Sequence, residues 1–89
     1  QFLTMNKEQI KLLSYIKRSE YRADILKTME NEMQFPSQIA KKVDLRINQV
    51  STLLKGLKEK GLVECINEEE KMGRFYKLTE KGKNIVENL

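Results

Sequence analysis

The chain has no histidine and a single cysteine, Cys65. The missing imidazole removes the commonest general base and most zinc sites, and a lone thiol excludes an internal disulfide. With nothing basic beside it in sequence, Cys65 reads as a half-buried strand residue rather than a redox switch. No apolar run exceeds three residues, so neither a membrane span nor a secretory signal can be drawn. The four glycines, Gly56, Gly61, Gly73 and Gly82, are scattered and read as helix or turn punctuation, not as a phosphate-cradling loop. Phe75 and Tyr76 read as hairpin packing, since a platform for single-stranded nucleic acid needs more aromatics. No paired carboxylates and no nucleophile–base arrangement are found, so no catalytic residue, metal, cofactor or small-molecule ligand is expected.

What is present suits one folded domain over residues 1–89, of cytoplasmic type, with 34% charged and 39% apolar residues. The net charge of +4 is unevenly placed. Residues 1–35 carry six basic against five acidic side chains, residues 36–60 six against two, and residues 61–89 five against six. The excess therefore sits on the middle segment, as on a surface that meets a polyanion.

Taken in order, the apolar spacing predicts a helix from Asn6, capped by Asn6 with Gln9 reaching back. Ile10, Leu13 and Ile16 mark its inner side, with Leu12 and Tyr15 beside them. A second helix starts near Ser19, with Tyr21, Ile25, Leu26 and Met29 turned inward. Residues 31–35 are extended, because the residue before Pro36 is biased away from helix. After Gly61 the period becomes alternating: LVECI and RFYKL form a hairpin around the polar loop NEEEKMG. Thr79 caps a last helix with Ile85, Val86 and Leu89 on its apolar edge.

The segment between Pro36 and Gly61 holds two helical patterns. Ile39, Ala40 and Val43 form a short buried side; Ile47, Val50, Leu53, Leu54 and Leu57 form a longer stripe that Gly61 ends. The opposite side of the second helix carries Asn48, Ser51, Thr52 and Lys55, with Gln49 on its flank. A helix fits the major groove of B-DNA, where amides pair with adenine edges and hydroxyls serve bases or phosphates. Lys55 lies where a phosphate contact positions without specifying. Ser37 opens the first helix of the pair, as N-cap, phosphate ligand or both.

QIAKKVDLRINQVSTLLKGLKEKGLVE followed by GRFYKLTEKGK resembles the winged helix-turn-helix family, more narrowly the MarR- and ArsR-like regulators common in archaea. The resemblance covers roughly residues 19 to 85. It implies a mainly α fold, a three-helix core with flanking terminal helices and a small antiparallel hairpin wing, working as a homodimer on double-stranded DNA. The recognition helix then falls on residues 46–60, in the major groove, with Asn48, Gln49, Ser51, Thr52 and Lys55 facing the DNA. Two positions depart from the family pattern. Asp44 replaces the usual glycine of the turn, a position it tolerates because Asp visits the left-handed region. Arg46 replaces the usual Ser or Thr cap, at a cost of about 1 kcal/mol, and offers a bidentate fork to phosphate instead.

In the wing, Lys71 and Arg74 flank the tip and are candidates for the minor groove. Glu68, Glu69 and Glu70 crowd the same loop, so the acidic run is expected to point away from DNA, or the wing to contribute little. Residues 1–18 and 79–89 are possible dimerisation helices. Their surplus apolar side chains, Leu12, Tyr15, Ile85, Val86, Leu89 and also Phe2 and Leu3, are the expected interface. The alternative reading is a winged-helix protein–protein module of a transcription or other assembly, which the acidic wing favours.

Overall fold

The computed structural model describes residues 6–89. Seven elements follow one another: α1 (Lys7–Lys17), α2 (Glu20–Thr28), α3 (Pro36–Val43), α4 (Ile47–Glu59), β1 (Val63–Cys65), β2 (Tyr76–Leu78) and α5 (Glu80–Val86). The expected order of elements holds, including the extended piece before Pro36, where Gln34 and Tyr76 exchange backbone hydrogen bonds of 2.9 Å each way.

The local signals act as their chemistry dictates. Asn6 Oδ1 accepts from the Gln9 amide and Gln9 Oε1 from the Asn6 amide, both at 2.9 Å, which closes a capping box on α1. No Gly or Pro parts α1 from α2, yet they are two helices rather than one bent helix, because Ser19 turns extended (φ −137°, ψ 119°). Arg22 secures that corner. Its Nη1 donates to the Tyr15 carbonyl at 2.6 Å, and its guanidinium lies 3.8 Å from the Tyr15 ring centroid. One carbonyl left orphaned at the end of α1 is thereby satisfied, with a cation–π contact in addition.

α3 begins with Pro36, whose missing N–H falls where helical N–H groups lack partners anyway. It ends at Asp44, which takes the left-handed conformation (φ 57°, ψ 49°) so that the Leu45 amide donates to Ala40 O at 3.0 Å. α4 ends the same way through Gly61 (φ 77°), with Leu62 N donating to Leu57 O at 3.0 Å and Gly61 N to Lys58 O at 2.9 Å. These bonds satisfy helix-end carbonyls and turn the chain sharply into the hairpin.

β1 and β2 pair antiparallel with Val63 opposite Leu78 and Cys65 opposite Tyr76. Thr79 joins the hairpin to α5: its hydroxyl accepts from the Gly82 amide at 3.0 Å and donates to the Gly61 carbonyl at 2.6 Å. The core lies between α1, α2, α4 and α5, where Ile16, Ile25, Leu26, Leu54, Leu57 and Ile85 are all but inaccessible.

Two expectations about faces are corrected. Ile10 and Tyr21, read as inward, are 48% and 42% exposed. Conversely, Leu12, Ile85 and Val86 are not surplus. α5 packs back across α1 and α2, so these three side chains complete the core of the single chain. Of the expected interface residues among those described, only Tyr15 and Leu89 keep appreciable exposed area. Phe2 and Leu3 lie outside the described residues.

Candidate nucleic-acid interface

Val50, Leu54 and Leu57 anchor one side of α4 in the core. This fixes the rotation of the helix and leaves Asn48, Gln49, Ser51, Thr52 and Lys55 exposed on the other side. The expected site residues then divide into two groups. Ser37, Ser51, Lys55, Lys71 and Arg74 line one cleft between α4, the start of α3 and the wing, together with Ile47, Lys58 and Met72. Asn48, Gln49 and Thr52 line a shallower depression on the other flank of α4, shared with Tyr21, Leu45 and Leu53. Arg46 is exposed at the head of α4, between them in sequence but in neither.

Several side chains are already engaged. Gln49 Oε1 accepts from the Arg46 backbone amide at 3.0 Å. A guanidinium has no acceptor, so only this half of a capping box exists at α4, and it makes good part of the cap lost at Arg46. Gln49 is thus turned back on its own helix, with only its amide NH2 left for an outside partner. Thr52 donates to the Asn48 carbonyl at 3.0 Å, which leaves its oxygen lone pairs free. Ser37 is not the cap of α3; it sits inside the first turn, while Gln38 Oε1 accepts from the Phe35 amide at 2.8 Å.

The wing departs further from expectation. Arg74 does not reach outward: Nη2 donates to the Glu68 carbonyl at 3.0 Å and Nε to that of Glu70. Asn67 clasps the loop, accepting from the Phe75 amide at 2.9 Å and donating to the Gly73 carbonyl at 3.0 Å. Asn67→Ala removes both bonds, at an expected cost of about 1–2 kcal/mol, each net bond being worth roughly 1. Hydrogen exchange checks it: the Phe75 amide should lose protection while core amides such as Leu54 keep theirs. What the tip presents is Lys71 and Met72, the latter 87% exposed.

Glu68 turns back to form an ion pair with Lys58 of α4. The hydrogen bond from the Lys58 ammonium holds the Glu68 carboxyl below its ordinary pKa, and the same bond raises that of Lys58. The pair's effect is therefore fully present at neutral pH and is lost as acid titrates Glu68. Lys55 and Lys71 have no carboxylate partner among the described residues.

Sequence reasoning missed Tyr21 and Lys58. Tyr21 fits the inward stripe of α2 by period and comes out beside Asn48 only because of how α2 crosses α4. Lys58 is three residues after Lys55, a spacing that places both toward one side of a helix.

A family model described as "Winged helix-turn-helix" matches residues 17–89. No curated protein matches the chain by sequence. Among solved structures, HlyU from Vibrio cholerae is 23% identical with a TM-score of 0.76, the match covering 94% of this chain and 92% of that one. The homodimeric winged helix-turn-helix DNA-binding domain of Mb0332 from Mycobacterium bovis, described as a possible ArsR-family regulator, is 21% identical (TM-score 0.74, coverage 90% and 73%). The MarR family transcriptional regulator SPO1453 from Silicibacter pomeroyi is 14% identical (TM-score 0.71, coverage 92% and 61%). The chain spans about half, 49%, of the length of Lactococcus lactis ZitR, another structure it matches. With the family model covering most of the chain and the architecture shared by ArsR- and MarR-type structures, the chain belongs to the winged helix-turn-helix family.

Proposed function

We propose that the chain is a sequence-specific double-stranded DNA-binding transcription regulator, acting in the cytoplasm as a homodimer with α4 in the major groove. The observation that carries this is the outer side of α4. Asn48, Ser51, Thr52 and Lys55 stand exposed on a helix locked by its other side into the core, beside a cleft whose Lys55 and Lys71 lack ion-pair partners. In this reading Asn48 is the principal base reader, since its amide presents both a donor and an acceptor to adenine. Ser51 and Thr52 serve bases or phosphates, Lys55 and Lys71 contact phosphates, and Ser37 lies near a backbone phosphate at the start of α3. Arg46 is free to fork a phosphate. Gln49 and Arg74 hold the helix head and the wing loop in shape. The homodimer is supported by the printed description of Mb0332, and by the way paired recognition helices span successive grooves.

A mobility-shift titration against mixed-sequence duplex tests the reading. Three phosphate contacts per protomer make about six per dimer, so affinity should fall roughly a thousandfold between ~50 and ~200 mM salt. Absence of any shift at ~50 mM salt, where non-specific binding is strong, favours the second reading, a protein–protein module. Met72 exposed at the wing tip and Lys58 neutralised by Glu68 are the observations on that side.

A further inference from the structure

The acidic run of the wing is expected to avoid DNA, yet Glu68 reaches into the mouth of the basic cleft and pairs with Lys58. Ser51, Lys55 and Lys58 follow one another at i, i+4 and i+7 along the side of α4 that faces the wing, with Lys71 across the cleft. A phosphodiester strand entering there meets these side chains first. We propose that the Glu68 carboxylate occupies a DNA-phosphate position on Lys58, and so sets the affinity of the interface by competing with the nucleic acid. This rests on the DNA-binding reading above.

The chemistry of the exchange is like for like. A carboxylate is an acceptor-only anion with two oxygens, as is the unesterified edge of a phosphodiester. The Glu68 backbone is held independently of Lys58, by Arg74 Nη2 on its carbonyl at 3.0 Å and by the Asn67 clasp next to it. The carboxylate is therefore delivered to Lys58 by the loop, and cutting the ion pair does not release the wing. As an exposed pair it adds little to folding stability. Its consequence lies in binding: Lys58 is engaged, and a second anion approaching it meets a negative charge already in place.

The test compares the parent with Glu68→Gln, Glu69→Gln, Lys58→Ala and the Lys58→Ala/Glu68→Gln double variant, titrated with a mixed-sequence duplex across a salt series. Glu68→Gln should bind about three- to tenfold tighter at ~50 mM salt, with a log–log salt slope steeper by about one, as for one added phosphate contact. The gain should vanish in the double variant, which should bind like Lys58→Ala. Glu69→Gln changes the net charge equally without touching Lys58 and should gain less. The proposal is overturned if Glu68→Gln binds no tighter than the parent, if it binds more weakly (the carboxylate then holds the wing in its productive place), or if Glu69→Gln matches it. Failure of every protein, parent included, to bind duplex at low salt is a distinct result, which removes the DNA-binding reading and this inference with it.

Discussion

Gly82→Ala is expected to lower the thermal midpoint by roughly 5–20 °C, from a strain of about 1–3 kcal/mol in a domain of this size. The sign is what makes the substitution informative. Gly82 lies inside α5, and by helix propensity alone alanine there should stabilise by about 1 kcal/mol. The packing says otherwise. A β-carbon at this position falls far inside contact distance of the Leu62 carbonyl oxygen, with the Leu62 carbonyl carbon at 3.1 Å and Leu78 Cδ2 at 3.4 Å. The obstacle is backbone, and it cannot swing aside. Leu62 N is tied to Leu57 O at 3.0 Å and Leu62 O accepts from the Thr79 amide at 3.1 Å, so moving it disturbs the end of α4 and the start of α5 together. Calorimetry of the variant checks it. A midpoint equal to or above the parent's would mean that the approach of α5 to residue 62 is looser than described.

The second large effect concerns DNA. Asn48→Ala should relax sequence preference at particular base pairs by about 1–3 kcal/mol, because one bidentate amide–adenine pair is lost there. Lys55→Ala should instead weaken binding by a similar factor on every sequence and flatten the salt slope by about one unit. Selection from random duplexes, run with the parent and both variants, reads the difference directly. The parent's preferred site should lose definition at one or two positions with Asn48→Ala, and keep its definition at lower affinity with Lys55→Ala. Both variants leave the core untouched, since both side chains are exposed and point away from Val50 and Leu54.

The parts legible in the chain are those decided within a few residues. The Asn6–Gln9 box, the left-handed Asp44, Gly61 at the end of α4 and the Thr79 cap each depend on local hydrogen bonds, and each is present. The face of α4 was legible because a stripe of apolar residues defines its opposite. Features set by how elements meet were not legible. Gly82 reads as punctuation, whereas it is needed for the close approach to Leu62. Tyr21 fits the α2 stripe by period but is exposed, while Leu12, Ile85 and Val86 read as surplus and are core. The polar wing defeats pattern reading altogether. Its charges carry no period, and the destinations of Glu68 and Arg74 depend on the fold of a loop held by Asn67.

Backbone amide shifts of the isotope-labelled protein, followed as duplex DNA is added at low salt, test most directly whether the outer side of α4 is the DNA-facing surface. The expected result is that the largest changes fall on Asn48 to Lys55, the first turn of α3 and the wing tip at Lys71 and Met72, fading as salt is raised. Changes centred on α1 and α5, or none at all, would contradict it.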